Sequence, residues 1–245
     1  MKELKQSLSL FQITFLGVGT MVGAGIYVLV GKIAGLSGAL SMWAFIAAAV
    51  IVSFSAYSHG FLAKNIPSSA GAAAYVHRAF NSSYLTLAVG LGVLLTGIVS
   101  SATLANGFYG YLNEFIVLPK WLVISALVAV LFAVASQAIN TSVNFAVGIT
   151  LLELLGLVIV IVFSETGHFE PALKIPSFSI GDFQLVMAGA FVAFYAYVGF
   201  EDMVNLAEEV ERPERNMLPA VMLALVHNSA LPDDCLGCAA CAARR

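Results

Sequence analysis

Two stretches of this chain place glycines where an apolar helix would otherwise continue. Residues 17–27 read GVGTMVGAGIY, and residues 194–201 read FYAYVGFE, with one glycine among four aromatic side chains. Glycine lacks a Cβ atom and destabilises a helix interior by about 1 kcal/mol relative to alanine. A helix that opened at these glycines would expose main-chain N–H and C=O groups. Inside a membrane, such groups are tolerated only against protein or a polar cavity.

The first glycine cluster could present both kinds of main-chain group. Unwinding at residues 23–25 would expose amide N–H groups at the start of a half-helix, where a carboxylate binds. The preceding half-helix would end in free carbonyls from about Gly19 to Val22, and carbonyls suit a cation. The alternative is close helix packing, because Gly19 with Gly23, and Gly31 with Gly35, follow the small-residue spacing of helix contacts. A nucleotide-binding loop is excluded, since the spacing is G-x-G-x-x-x-G without a βαβ context.

The composition indicates a protein that lies in a bilayer. Of the 245 residues, 60% are hydrophobic and 10% are charged, whereas soluble domains carry roughly 25% charged residues. Apolar stretches recur at lengths near or above the ~17–25 residues that cross the hydrocarbon core. The predicted spans cover residues 10–30, 40–62, 85–112, 121–138, 143–163 and 183–206.

The positions of lysine and arginine predict the orientation. With the N-terminus inside, the inner segments carry Lys2, Lys5, Lys64, Arg78, Arg212 and Arg215, and the outer segments carry Lys32, Lys120 and Lys174. This excess favours a multi-pass protein of the cytoplasmic membrane with a cytoplasmic N-terminus. Glycine interruptions in the first and sixth spans predict a transporter whose substrate lies at the two breaks.

The last part of the chain differs from the rest. A seventh apolar run begins at Met217 and ends at Val226, and residues 227–245 contain a Cys-x-x-Cys-x-x-Cys pattern. We interpret residues 1–226 as a partial membrane domain and residues 227–245 as an atypical tail, not the native continuation; the alternative is a genuine cytoplasmic tail. An iron–sulfur run requires a fourth thiolate, so no metal site and no cofactor is expected.

Four stretches resemble the amino acid–polyamine–organocation (APC) superfamily of permeases. They are residues 19–27, the loop 67–76 (PSSAGAAAYV), residues 194–201, and residues 207–219 (AEEVERPERNMLP), of which the last is the most specific. Together they extend over residues 8 to 226. One departure is at residues 59–63, HGFLA, where Phe61 stands in place of a glutamate that this family often has.

The resemblance implies an all-α membrane protein with the inverted-repeat fold of the leucine transporters. Each repeat would have five helices, and this chain would contain the first repeat, helix six and a stub of helix seven. The implied function is secondary active transport of amino acids by alternating access, without enzymatic chemistry. The alternative is a membrane-embedded interaction or assembly protein without a substrate. In either case, no nucleic-acid partner is expected.

The resemblance also implies where the substrate binds. Amides near Gly25 would take the carboxylate, carbonyls near Val198 would take the ammonium group, and aromatic residues of the sixth span would shape the side-chain pocket. The implied substrate-binding residues are Gly23, Ala24, Gly25, Ile26, Ser100, Ser101, Thr103, Tyr197, Val198, Gly199 and Phe200.

Glu153 is the only ionisable residue inside the fifth predicted span. An intramembrane carboxylate is a functional candidate by default, so Glu153 is a candidate for coupling transport to a proton gradient. Gly19 and Val22 would provide carbonyls for a coupling cation. The coupling ion, proton or sodium, is left open, and the alternative is a Glu153 that only contacts a neighbouring helix. Because the helix of the second repeat that should close the cation site would be missing, we expect this chain not to transport alone.

Overall fold

The computed structural model of this chain describes residues 6–163 and 179–242, with the backbone alone for residues 24–28, 160–163 and 230–242. The described residues form helices, joined by short turns, and the only β-type pairing among them is a single bridge. The helices are α1 (Leu10–Ser37), α2 (Ser41–Asn65), α3 (Ala72–Phe80), α4 (Ser83–Asn113), α5 (Lys120–Ala135), α6 (Ile139–Phe163), α7 (Ile180–Tyr195), α8 (Phe200–Asn205) and α9 (Pro213–Ala242). The prediction of an all-α protein is confirmed.

Four helical stretches among the described residues are long and apolar enough to cross a membrane. They are Leu29–Asn65, Ser83–Asn113, Ile139–Ile159 and Ile180–Asn205. The first part of α1, Leu10–Gly23, and the helix α5, Lys120–Ala135, are shorter apolar stretches. The protein is therefore a multi-pass membrane protein.

Several helices begin at a serine that caps their first turn. Ser9 and Gln12 form a capping box at the start of α1, in which each side chain accepts from the other residue's main-chain N–H. Ser82 and Ser179 cap α4 and α7 in the same way through one hydroxyl each. These caps satisfy amides that have no partner within the helix.

The chain forms two compact units. The first contains Met1–Ser69 and Ala146–Arg245, and the second contains Ala70–Phe145. In the first unit, α1 and α2 pack against α7 and α9, and the short α8 contacts α1, α2 and α9. Its interior is apolar, with large side chains such as Phe45, Met203 and Tyr197 almost fully buried.

In the second unit, α3 packs against α4, and α4 packs against α5. The loop expected at residues 67–76 is only partly a loop, because α3 already begins at Ala72. Gly71, with φ 48°, precedes this helix, and three alanines with high helix propensity follow it. The expectation of a loop was therefore wrong for residues 72–76.

The expected break in the first predicted span is not found in this structure. α1 continues from Leu10 to Ser37 through all three glycines of residues 19–25. A glycine costs a helix about 1 kcal/mol, whereas each unpaired main-chain group in an apolar surrounding costs several. Keeping the helical hydrogen bonds is therefore the cheaper arrangement, and the prediction of an opened segment at residues 23–25 was wrong for this structure.

The seventh apolar run is part of a longer helix than expected. The sequence placed its end at Val226, but α9 continues through residues 227–229 and ends at Ala242. The side chains of the three cysteines lie outside the described part. The interpretation of residues 227–245 as a non-native tail stays a prediction.

Candidate functional site

The helix break predicted in the sixth span is present between α7 and α8. α7 ends at Tyr195 and α8 begins at Phe200. The amides of residues 196–198 bond carbonyls three positions earlier, at 2.9 to 3.2 Å, which is tighter winding than in an α-helix. Gly199 then has φ 144°, a conformation that residues with a side chain rarely adopt. The chain leaves the helical path at Gly199 and resumes it one residue later.

Side chains from neighbouring helices hold the main chain of this break. The Nδ2 atom of Asn228 on α9 donates a hydrogen bond to the Ala196 carbonyl at 3.0 Å. The Thr20 hydroxyl on α1 lies 3.4 Å from the Gly199 carbonyl and 3.0 Å from its own helix's Gly17 carbonyl. Polar groups of α1 and α9 thus meet carbonyls that border the break.

Two aromatic residues predicted to shape the substrate pocket are buried at the break. Tyr197 is 1% exposed, and its hydroxyl donates to the Phe45 carbonyl on α2 at 3.3 Å. Phe200 is 3% exposed and meets the ring of His59 edge to face, with 5.3 Å between ring centroids. Both rings therefore fix the break against α2. Val198, the other predicted residue here, is half-buried.

The glycines of α1 lie where neighbouring side chains approach the helix closely. A Cβ atom at Gly17 would overlap the Met203 side chain on α8, and one at Gly19 would overlap the Thr150 hydroxyl on α6. A Cβ atom at Gly23 would lie 3.1 Å from Oε1 of Glu153. The close-packing role that the sequence offered as an alternative is therefore found at Gly19 and Gly23. It was wrong for Gly31 and Gly35, where a Cβ atom would meet no described neighbour within 4 Å.

This arrangement brings the predicted ion-coupling residues together. Glu153 lies on α6, half-buried, with its carboxylate beside Gly23, and Val22 on the neighbouring turn of α1 is fully buried. Thr150, one turn before Glu153, packs on Gly19, and its hydroxyl donates to the Ala146 carbonyl at 3.0 Å. A carboxylate and a hydroxyl from α6 thus line the glycine face of α1.

The other predicted site residues are placed differently. Ala24, Gly25 and Ile26 lie inside the continuous helix α1, so their amides belong to its hydrogen-bond ladder. Ser100, Ser101 and Thr103 lie on α4 in the second unit. The Thr103 hydroxyl donates to the Val99 carbonyl of its own helix at 2.8 Å.

The segments before α1 and after α8 are joined by main-chain hydrogen bonds. The amides of residues 7–8 both donate to the Glu209 carbonyl at 2.9 Å, and the Glu211 amide donates to the Leu8 carbonyl at 2.8 Å. Leu8 and Val210 form a parallel bridge and are both fully buried. Main-chain hydrogen bonds therefore join the segment before α1 to the segment that follows α8.

The two carboxylates of this junction have different surroundings. Glu208 accepts a hydrogen bond from the Ser69 amide at 3.0 Å. Glu209 has one buried carboxylate oxygen that meets no hydrogen-bond donor among the described residues. Burial, followed by repulsion from Glu208, raises the pKa of Glu209 above its ordinary value.

Sequence reasoning missed three residues of this site. Thr20 and Thr150 are polar residues in apolar helices, one turn from a functional candidate, and that spacing was a usable signal. Asn228 was assigned to the tail, although it follows the buried residues Ala224 and Leu225 at helical spacing. Within the described part of the chain, no three His, Cys, Asp or Glu residues cluster in a way that could hold a metal ion.

Comparison with known proteins assigns the family. Residues 8–229 match the family described as amino acid permease. The inner membrane transport protein YbaT of Escherichia coli is 30% identical, over 89% of this chain and 52% of its own length. Two proteins of Bacillus subtilis are also similar: a methylthioribose transporter (24% identical, 91% of this chain, 52% of its own) and the branched-chain amino acid permease BcaP (21% identical, 92% and 52%). The chain spans about half the length of these relatives.

Because the family match covers most of its residues, the chain belongs to the amino acid permease family and, as its motifs indicated, to the APC superfamily.

Proposed function

We propose that the protein to which this chain corresponds is a secondary active transporter of amino acids, and not an enzyme. The observation that carries this proposal is the buried break at residues 196–199, whose carbonyls meet side chains of α1 and α9. In transporters, an interrupted helix at the bilayer midplane is where a substrate finds main-chain groups that need a partner. The substrate would lie between this break and the glycine face of α1.

The proposed contacts follow the charge of an amino acid. Carbonyls near Tyr197 and Val198 would accept hydrogen bonds from the ammonium group, and Phe200 with Tyr197 would bound the side-chain pocket. The carboxylate would bind the amides of residues 23–26 in a state in which α1 opens. The glycines of α1 lower the free-energy cost of such an opening by about 1 kcal/mol each relative to alanine. The substrate carboxylate would bind the amides that the opening exposes. Ser100, Ser101 and Thr103 stay candidates for a further contact.

For the coupling ion, we propose the region where Glu153 meets Gly23. A carboxylate at this position can exchange a proton during the cycle, and the carbonyls of Gly19 and Val22 would take part in a cation site if α1 opened. Alternating access would then arise when α1 and the α7–α8 pair tilt together, since they are tied through Glu209 and Leu8. The location proposed is the cytoplasmic membrane, with the N-terminus on the cytoplasmic side.

The names of two relatives and the aromatic residues of the break bear on the proposed substrate class. One relative is named for branched-chain amino acids and one for methylthioribose, a sugar thioether without an ammonium group. The buried aromatic residues of the break favour an apolar side chain, so we propose a neutral amino acid such as leucine. A second half of the protein would contribute the rest of the pocket.

The test is a thermal-shift experiment with the purified chain in detergent. A ligand that binds only the folded state stabilises it by about 2.7 kcal/mol at 100 times its Kd. We expect leucine to raise the unfolding temperature in a concentration-dependent manner and methylthioribose to have no effect. Absence of a shift with every amino acid tested would contradict the proposed site.

The chain alone is not expected to transport. In proteoliposomes, we expect no uptake of labelled leucine above that of empty vesicles, because the helices of the second repeat would have to close the cation site. Uptake at the rate of a full-length relative would overturn this part of the proposal without affecting the proposed binding site.

A second candidate function is that of a membrane-embedded assembly protein. The close contacts of Gly17 and Gly19 with Met203 and Thr150 favour it, since small residues serve helix packing in membranes. An assembly protein would show no thermal shift with any amino acid. The same experiment therefore separates the two functions.

A further inference from the structure

Asn228 is a buried amide at the break between α7 and α8. It is 1% exposed, and its Nδ2 atom donates to the Ala196 carbonyl at 3.0 Å. In an uninterrupted helix, this carbonyl would accept from the amide of residue 200. Asn228 therefore replaces a main-chain donor at the point where the helix stops.

The amide oxygen of Asn228 differs from the amide nitrogen in its hydrogen bonding. Oδ1 of Asn228 is buried and has no hydrogen-bond partner among the residues that the structure describes. A buried amide oxygen without a donor is unfavourable, because it has lost its hydrogen bonds to water. Because Oδ1 and Nδ2 are bonded to the same carbon, Oδ1 also lies beside the break. The break thus has a hydrogen-bond acceptor, Oδ1 of Asn228, for which the described residues provide no donor.

We propose that Asn228 is a substrate-binding residue: Nδ2 holds the Ala196 carbonyl, and Oδ1 accepts a hydrogen bond from a primary ammonium group of the substrate. This inference rests on the proposed function and adds a residue from α9 to the site. It also narrows the substrate to compounds with a primary ammonium group, because a charged donor forms a stronger hydrogen bond to a buried amide oxygen than a hydroxyl does.

The chemistry of the amide explains why asparagine suits this position. A leucine of similar size would leave the Ala196 carbonyl without its side-chain donor and would remove one acceptor from the ammonium group. An aspartate would keep an oxygen for the ammonium group but would lose the Nδ2 donor. Comparing the two substitutions therefore separates two roles of Asn228. One is to bind the ammonium group, and the other is to donate a hydrogen bond to the main chain of the break.

The experiment compares two ligands that differ only in the ammonium group. Dissociation constants for leucine and for 4-methylpentanoate, which is leucine without its amino group, are measured by calorimetry on the purified chain in detergent. The variants are Asn228→Leu and Asn228→Asp. The matched control is Asn216→Leu, which removes an amide that donates to the Glu211 carbonyl near the start of α9.

We expect Asn228→Leu to weaken leucine binding by about tenfold or more, the loss of one charge-assisted hydrogen bond. Binding of 4-methylpentanoate should change little. Asn228→Asp should keep the preference for leucine over 4-methylpentanoate, because it keeps an oxygen for the ammonium group, and Asn216→Leu should leave both constants unchanged.

Three results would overturn the inference. Equal losses for both ligands in both Asn228 variants would assign Asn228 only to holding the break. Unchanged leucine binding in Asn228→Leu would remove the residue from the site while the proposed function stands. Absence of leucine binding by the unaltered chain would overturn the proposed site and this role together. If Asn228→Leu does not fold, as judged by gel filtration, equal losses of leucine and 4-methylpentanoate binding in Asn228→Asp decide against the inference.

Discussion

The two glycine-containing segments of the first unit behave in opposite ways. The segment in α1 has five glycines between residues 17 and 31 and stays helical throughout. The segment between α7 and α8 has a single glycine, Gly199, and breaks the helix. The number of glycines therefore does not decide whether a helix opens.

The difference lies in what surrounds each segment. At the break, the Ala196 carbonyl has a side-chain donor in Asn228, and Gly199 has a φ of 144° that excludes other residues. In α1, Gly17 and Gly19 instead make room for Met203 and Thr150. A helix opens in an apolar surrounding only where other groups replace its lost hydrogen bonds. Where no such groups are present, the helix stays closed and its glycines allow neighbouring side chains to pack closely.

The strongest test of this comparison is Gly199→Ala. Its Cβ atom would lie 2.7 Å from the Thr20 hydroxyl, and its φ would be strained. We expect the free energy of unfolding in detergent to fall by about 2–5 kcal/mol, from backbone strain and overpacking together. We also expect leucine binding to be lost.

The matched control for this substitution is Gly148→Ala. Gly148 lies in α6, and a Cβ atom there would meet no described atom within 4 Å outside its own helix backbone. This variant should gain up to about 1 kcal/mol, because alanine has the higher helix propensity. If Gly199→Ala were as stable as Gly148→Ala, the break would not depend on the glycine conformation.

The second test concerns the packing role of the glycines in α1. In Gly19→Ala, the new Cβ atom overlaps the Thr150 hydroxyl, and we expect a loss of about 1–3 kcal/mol in unfolding free energy. Gly31→Ala, in the same helix but with open space around it, should gain up to about 1 kcal/mol.

A double-mutant cycle makes this second test specific to the contact. Adding Thr150→Ala to Gly19→Ala removes the overlapping hydroxyl, so the two losses should be clearly less than additive. Additive losses would show that Gly19 and Thr150 do not share this contact, and α1 would then need another explanation for its glycines.

The sequence was sufficient to predict the long apolar helices and one of the two breaks, but not α3. Long apolar runs identify spans, because no soluble core could bury them. At Gly199, a glycine among aromatic residues correctly predicted an interruption. The same reasoning failed at Gly23 and Gly25, since helix propensity is a local property and the partners that permit an opening come from distant parts of the chain.

The contacts of the site were less predictable than its position. Glu153 could be selected as the only ionisable residue of its span, but its approach to Gly23 depends on how α6 packs against α1. Asn228 was missed because a change in composition was interpreted as the end of the membrane domain. A single buried amide at helical spacing from Leu225 is too weak a pattern to outweigh that signal.

The third test concerns the carboxylate that meets the glycine face of α1. If Glu153 exchanges a proton when a ligand binds, the Kd for leucine changes with pH by up to about tenfold per pH unit. Glu153→Gln is neutral at every pH, so this dependence should flatten between pH 5 and 8, as measured by calorimetry. Glu201→Gln, which alters an exposed carboxylate on α8, is the control and should keep it. A pH dependence that Glu153→Gln leaves unchanged would remove Glu153 from ion coupling.

The smallest expected effect is at the junction that ties the two segments together, where Glu209 follows α8 and its carbonyl bonds residues 7–8. Burial and the neighbouring Glu208 raise the pKa of Glu209 in the folded chain. A carboxyl group with a raised pKa stabilises the fold fully below its ordinary pKa, and this contribution is lost as the pH rises through the raised value. At pH 7 the buried charge is therefore unfavourable, and Glu209→Gln should unfold at a higher temperature than the unaltered chain.

That difference should vanish below about pH 4, where the carboxyl group is protonated in both states. Glu214→Gln gives the opposite sign at pH 7, because this exposed carboxylate lies in the first turn of α9 and stabilises the helix dipole. Thermal unfolding of both variants at pH 4 and pH 7 measures the two effects side by side. A Glu209→Gln chain that is less stable at pH 7 would mean that the carboxylate is stabilised in its charged form. The charge of Glu209, as well as main-chain hydrogen bonds, would then stabilise the junction between α1 and the α7–α8 pair.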